Sequence, residues 1–509
     1  MKKLILSILL MCLSSQSLWA YTKGKVYKLT ILHTNDHHGR FWPNKDGELG
    51  LAPRATLIKN LRDQVQKEGG HVLLIDAGDV NTGIPQSDMQ EAEPDFKGMA
   101  LLGYDVMALG NHEFDKPFAT LLKQRDWAGF PFISANIYRK ETNERVFPSH
   151  IVKVLDDMKV TIFGLTTEDT PVKSSPINTA PFKFIPVVEE AKKLVPELRK
   201  DTDVLIALTH IGHYENESNG ADAPGDVTLA RQVDGIDVIV GGHTQKPLFE
   251  PDIQNGTIIV QAHEWGKFVG KVDLEFLDGK LTLKSSKLIP VNLKDSSVRI
   301  EADPYVEAVL KPFKEKGDAS LGVLLGTSET EFMGLSIVIR NGETNLGNLI
   351  TKAYKEKMNA DIGLSNSGGI RASVAPGNVT YETVLTVLPF GNQLALAELN
   401  GAELKTFLEA ILFMMKGTGG FPQLSGVEIT ANTELKKITS FKVNGEELCL
   451  TKKYRLALPE FTASGGDKYP KIAFRKTGFV DADILKDFIL ARGVLTGQEF
   501  AVTNYLKFD

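Results

Sequence analysis

The first half of the chain is punctuated by short apolar runs that stop at polar clusters. Residues 28–33 lead into 34–39, 72–76 into 77–79, 104–109 into 110–115, 204–208 into 209–210, and 238–240 into 241–245. Runs of this length bounded by polar residues read as buried strands. Further strands are expected at 131–136, 159–165 and 257–262. Between them, helical periodicity over 52–68 keeps Leu57, Ile58, Leu61 and Val65 on one face. The alternation predicts a layered α/β domain over residues 21–295.

Beyond it, Asp303 and Pro304 open a helix that heads towards Lys316, with Pro304 suited to the first turn and Gly317 to the end. Pro312 falls inside the span and predicts a kink or an early stop. This helix, within 296–325, is the expected linker. A second, smaller α/β unit follows over 326–509. Its helices are expected at 343–358, with Leu346, Leu349, Ile350 and Tyr354 inward, and at 401–415. Between them a strand opens into Ser367, Gly368, Gly369, Ile370 and Arg371. Such glycines let backbone approach a ligand closely, and equally make a plain turn.

The polar clusters carry the chemistry. Together the five strand ends predict that Asp36, His38, Asp79, Asn111, His210, His243 and Gln245 meet at one edge of one sheet, where an α/β fold keeps its ligand crevice. A lone His or Asp behind a strand serves equally as a cap or hydrogen-bonding residue; five blocks in register are more than capping requires. Imidazole, carboxylate and amide oxygen without thiolate suit Zn²⁺, Mn²⁺ or Co²⁺. Seven donors exceed the needs of one ion, so two divalent ions sharing a carboxylate are expected. His37 alternates away from Asp36 and His38 on an extended segment and is expected to pack or to face solvent rather than bind metal.

Composition narrows the setting. Lys2 and Lys3 precede an apolar core of about ten residues and a segment ending at Ala20, a secretory signal peptide too short for the roughly 20 residues that span a bilayer. Cleavage after Ala20 removes Cys12 and leaves Cys449 alone, so no internal disulfide is available. The remainder has no second long apolar run, which predicts an exported, periplasmic protein without a membrane span. A net charge of −6 argues against a nucleic-acid-coating surface. With 509 residues and 42% hydrophobic content the chain can build two cores. No sequence feature assigns an oligomeric state.

The spacings D-x-H, G-D, G-N-H-E-x-D, T-H and G-G-H-x-Q, in that order, resemble the signature of the calcineurin-like metallophosphoesterases. Over the mature chain, Asn345 to Leu349, Ser367 to Arg371, Leu388 to Asn392 and Gly465 to Pro470 extend the likeness to the bacterial periplasmic 5′-nucleotidase/UDP-sugar hydrolase family. That resemblance implies that Asp36, His38 and Gln245 hold one metal, Asn111, His210 and His243 the other, with Asp79 bridging. It implies that His112 lies against the phosphate, oriented by Asp115. In the second unit Arg340, Asn366, Arg371 and Asn392 would contact a nucleotide or nucleotide sugar, Phe390 and Phe461 would stack on the faces of its base, and Asp467 would bind the ribose or a neighbouring polar group. As residues alone, the two phenylalanines fit a core equally well. The resemblance further implies that the second unit rotates on the linker helix.

Two departures stand out: Asn366 where bacterial members often carry Ser, and a short region after Gln245 without the cysteine-bearing insertion of some relatives. The leading activity is 5′-nucleotidase, with UDP-sugar or dinucleotide pyrophosphatase activity beside it. A 2′,3′-cyclic phosphodiesterase/3′-nucleotidase is the alternative. A non-enzymatic periplasmic nucleotide-binding protein has no use for seven metal donors and His112.

Overall fold

A computed structural model describes residues 21–215, 224–414 and 416–509. The expected signal segment 1–20 and Met415, the expected end of the 401–415 helix, lie outside the described residues. Among the described residues no helix is long and apolar enough to cross a membrane.

The first half contains two six-stranded sheets. In the first, the strands run in the order Lys280–Pro290, Phe268–Leu277, Tyr27–Thr34, His71–Asp76, Val106–Ala108 and Phe132–Ile133. In the second, the order is Asp252–Gln254, Thr257–Gln261, Val238–Gly241, Val204–His210, Met158–Thr166 and His150–Leu155. In each sheet a parallel set carries the polar strand ends, and antiparallel pairings close one edge of the first sheet and both edges of the second.

This corrects the expectation of a single sheet. Asp36, His38, Asp79 and Asn111 follow strands of the first sheet, whereas His210, His243 and Gln245 belong to strand ends of the second. Alternation within each strand explains the arrangement. Leu29, Ile31, Leu73 and Ile75 face Ile206, Leu208, Val238 and Val240 in one apolar layer between the sheets. Leu32 and Leu74 turn the other way, into the core shared with helix Leu51–Lys67, and Leu205 and Ile239 turn towards helix Val187–Leu198. Strands apolar on both faces give continuous runs, and nothing in such a run says which sheet it joins.

Helix Pro304–Leu321 starts as expected, with the Asp303 carboxylate accepting from the Tyr305 and Val306 amides at 3.0 and 3.1 Å. It does not stop at Pro312 or Gly317. Pro312 removes one donor, but Val306 and Leu310 are buried in the first half's core and hold the helix on course. Gly317 marks a close approach instead of a stop: a Cβ there would come within 2.8 Å of Gln86 Cγ.

In the second half, Thr344 caps helix Asn345–Lys357 by accepting from the Gly347 amide at 3.0 Å, and Leu346, Leu349, Ile350 and Tyr354 are buried. A five-stranded sheet runs Pro422–Ser425, Ile362–Asn366, Lys453–Pro459, Gln393–Asn400, Arg475–Val480. Strand Ile362–Asn366 ends in the single turn Ser367–Gly369, which delivers Arg371. The helix expected at 401–415 is observed as Gly401–Leu412, capped by Asn400.

Candidate active site

Asp36, His38, Asp79, His243 and Gln245 adopt left-handed backbone conformations, with φ of 51°, 49°, 59°, 77° and 55°. Each costs on the order of 1–3 kcal/mol, and such residues persist only where the surroundings over-determine them. Each of the five lies in the loop that follows its strand. Neighbouring glycines make room. A Cβ on Gly110 would collide with the Asp79 carboxylate, and one on Gly242 would lie 2.9 Å from His210 Nδ1.

The donors of Asp36, His38 and Asp79 lie within 4.8 Å of one another, as do those of Asp79, His210 and His243. Asp79 is common to both groups. The imidazole orientations are set from behind: His38 Nδ1 donates to the carbonyls of Thr82 (2.7 Å) and Asn81 (3.0 Å), and His210 Nδ1 donates to that of Ala77 (2.7 Å). Both Nε2 lone pairs therefore face the cluster. His210 Nε2, Asp36 Oδ1 and Asn111 Oδ1 are buried without hydrogen-bond partners. Buried nitrogen and hard-oxygen atoms left without partners, beside two donor groups that share Asp79, fit divalent cations. The electrostatics agree. Burial pushes the Asp36 carboxyl up to about 7, whereas Asp79, despite its own burial, is held well below the carboxylate range by His210 and His112. Burial opposes the charged form of His210, yet Asp79 and Asp36 raise it to about 10, so the cluster draws positive charge. Gln245 Nε2 lies 2.8 Å from His38 Nε2; a half-turn of the amide exchanges its oxygen for nitrogen there.

His112 leaves the strand end in the short turn His112–Phe114. Its Nδ1 donates to Asp115 Oδ2 at 2.6 Å, its backbone amide donates to Asp79 Oδ1 at 2.9 Å, and its Nε2 is 4.0 Å from Asp79 Oδ2. Burial lowers the imidazole's affinity for a proton, but Asp115 and Asp79 outweigh it and raise the ring to about 9.

A cavity of about 360 Å³ lies between the two halves. From the first half, Asp79, Asn111, His112, Asp115, His243 and Gln245 line it; Asp36, His38 and His210 complete the donor groups behind Asp79. From the second half come Arg340, Asn366, Arg371, Phe390, Asn392, Phe461 and Asp467. Phe390 and Phe461 thus line the cavity rather than the core. Phe390 stacks on the His112 ring at 5.9 Å and 22°, with the Arg371 guanidinium 5.7 Å from its centroid. Asn366 Nδ2 donates to Asp467 Oδ2 at 2.6 Å. Asp467 itself has φ of 51°, and its carboxylate lies against Gly368 and Gly419, where a Cβ would meet Oδ2 at 2.8 and 3.0 Å.

Sequence reasoning missed several residues. Glu113 is buried and its carboxylate accepts from the amides of Gly110 (2.7 Å), Asp79 (2.9 Å) and Val80 (2.9 Å), tying two donor loops together. Its place inside G-N-H-E-x-D was the available signal. Asn35 donates to Asp36 Oδ2 at 2.7 Å and accepts from the Ala262 amide at 2.8 Å. Thr82 and Ser174 both donate to Asp115, at 2.7 and 2.8 Å. Of the two placements expected for His37, packed or facing solvent, the structure shows the first: it is buried and bonded to Asp95 at 2.9 Å.

Family models match two segments: calcineurin-like phosphoesterase over residues 29–247 and 5′-nucleotidase, C-terminal domain, over residues 324–473. The chain is 44% identical to a 5′-nucleotidase of Vibrio parahaemolyticus, covering 97% of this chain and 95% of that one. It is 42% identical to the protein UshA of Escherichia coli, covering 94% and 93%. The crystal structure of a 5′-nucleotidase precursor from Thermus thermophilus superposes with a TM-score of 0.78 at 30% identity, over 95% of this chain and 99% of that one. The chain belongs to the calcineurin-like phosphoesterases that carry a 5′-nucleotidase C-terminal domain, and is a metal-dependent phosphoric ester hydrolase.

Proposed function

We propose that the protein hydrolyses nucleotide 5′-phosphates in the periplasm, releasing phosphate and nucleoside for salvage, and that it also cleaves the pyrophosphate of UDP-sugars or dinucleotides. One observation carries this reading: a single cavity joins two donor groups that share Asp79 to a wall of arginines and aromatic rings. Relatives named 5′-nucleotidase, similar along almost the whole chain, support it. We assign residues 21–295 to the phosphoesterase domain, 296–325 to the linker and 326–509 to the substrate-binding domain.

Two divalent ions, of Zn, Mn or Co, would be held by Asp36, His38 and Gln245 and by Asn111, His210 and His243, with Asp79 between them. When bound, they supply concentrated positive charge and acidify water at the site. The chain's own groups do the rest. Arg340 and Arg371 offer planar, bidentate donors to phosphate oxygens. Phe390 and Phe461 offer faces to the base, Asp467 with Asn366 and Asn392 offers polar partners to the nucleoside, and this anchoring orients the phosphate towards Asp79. His112, held at Nδ1 by Asp115, presents Nε2 as the proton-bearing atom where negative charge grows on the phosphate.

The test is a substrate panel on protein of known metal content: phosphate release from AMP, 3′-AMP and 2′,3′-cyclic AMP, and UMP release from UDP-glucose, each with and without chelator. Chelator-sensitive turnover of AMP and UDP-glucose is expected. Preference for 3′-AMP or the cyclic substrate would overturn the assignment.

A further inference from the structure

The Asp115 carboxylate is held on three sides. Oδ2 accepts from His112 Nδ1 at 2.6 Å and from Thr82 Oγ1 at 2.7 Å, while Oδ1 accepts from Ser174 Oγ at 2.8 Å. Thr82 and Ser174 are both buried. They come from segments far apart in the chain, one in the loop after strand His71–Asp76, the other just after the short helix Thr170–Lys173. Asn178, four residues past Ser174, fixes the same turn from its backbone side, donating to the carbonyls of Asp115 at 2.9 Å and Phe114 at 3.2 Å.

Thr82 is unusual in itself. It is β-branched yet sits at φ of 64°, a conformation that such residues adopt only when the surroundings demand it. In that conformation its carbonyl accepts from His38 Nδ1 while its hydroxyl donates to Asp115. One residue therefore ties the orientation of His38 to that of the His112–Asp115 pair.

We propose that Thr82 and Ser174 are positioning residues for the phosphate-facing donor: their hydroxyls fix the Asp115 carboxylate, and through it the tautomer and tilt of the His112 ring. The inference rests on the role given to His112 above. Without either hydroxyl the carboxylate is free to rotate about its last torsion, and the imidazole loses its fixed partner. The ring lies between Asp79 on one side and Phe390 on the other, so a small tilt turns Nε2 away from the cavity. Loss of a partner that orients a working imidazole costs roughly 10–100-fold in activity.

The experiment is a double-mutant cycle. Thr82→Val, which keeps the branched shape, and Ser174→Ala are each made in the wild-type and His112→Ala backgrounds, with Ser174→Thr as the conservative control. AMP turnover, metal content and melting temperature are measured for every variant. Thr82→Val and Ser174→Ala are expected to lower kcat about tenfold with KM within about twofold and metal retained. Ser174→Thr should recover most of that loss, and neither change should slow His112→Ala further. Equal losses in both backgrounds overturn the proposal, as does an undiminished kcat beside a crippled His112→Ala. Wild-type turnover by His112→Ala would be read separately, removing the role of His112 and this inference with it.

Discussion

His210 Nε2 lies 3.0 Å from Asp79 Oδ2, with its other nitrogen already committed to the Ala77 carbonyl. A lone pair facing a carboxylate at that distance is stable only with a cation or a proton between them. Asp36 Oδ1 and Asn111 Oδ1, buried and unpartnered nearby, make the same demand. Metal removal should therefore weaken the fold as well as abolish turnover. At an ion concentration a hundred times the dissociation constant, binding adds about 2.7 kcal/mol to stability. Thermal unfolding with and without chelator is expected to differ by several degrees, with Asp79→Asn showing little of that difference. An identical melting temperature in both conditions would count against the metal sites.

His112→Ala should reduce kcat for AMP by roughly a hundredfold or more, because a donor aimed at growing charge is worth about 3–4 kcal/mol in a dry site. Metal content should stay unchanged, since neither donor group includes His112. Steady-state kinetics beside elemental analysis checks both halves.

Gly110→Ala probes the packing behind the donors. A methyl there would collide with the Asp79 carboxylate and approach at 2.7 Å the Asp79 amide nitrogen, which is backbone and cannot swing aside. A destabilisation of about 1–3 kcal/mol is expected, together with metal affinity weakened at least tenfold. Titration of the apoprotein by calorimetry would measure the latter; affinity equal to wild type would show that Asp79 need not sit where it does.

How far the sequence could foretell this arrangement depended on what each residue's neighbours in the chain reveal. Asp36, Asp79, Asn111, His210 and His243 were conspicuous because hard donors end apolar runs, a pattern that survives without knowing the fold. Which sheet each run joins was hidden, since Ile31 and Ile206 sit in strands apolar on both faces. Gly317 read as a helix stop because Gln86, which presses on it, is distant in sequence. Thr82 and Ser174 carried no signal: a hydroxyl is common everywhere, and only the fold brings two of them to Asp115. Phe390 and Phe461 were open to two readings until their position between the halves removed the core alternative.

The aromatic wall makes a prediction about substrate preference. If Phe461 stacks on the base, Phe461→Ala should raise KM for AMP about tenfold, in line with roughly 1–3 kcal/mol per stacked base. Hydrolysis of ribose 5-phosphate, which lacks a base, should be unaffected. Parallel losses on both substrates would assign the ring to packing.

Stability should depend on pH through Asp481, which is buried at the start of helix Asp481–Arg492. Burial pushes its carboxyl up from 3.8 to about 7, although hydrogen bonds from the Ala482 amide, at 2.7 Å, and from Asn392 act in the opposite direction. An acid whose pKa is higher in the folded state binds its proton more tightly there than in the unfolded chain. Its contribution is therefore fully present below about 4 and is lost as pH rises through about 7. Asp481→Asn keeps an acceptor for the Ala482 amide and carries no charge to bury. Measured by urea unfolding, the variant's stability relative to wild type should climb by a few kcal/mol between pH 4 and pH 8. Because every other titrating group is common to both proteins, a difference that stays flat across this range would mean that Asp481 is already ionised in the folded protein at low pH.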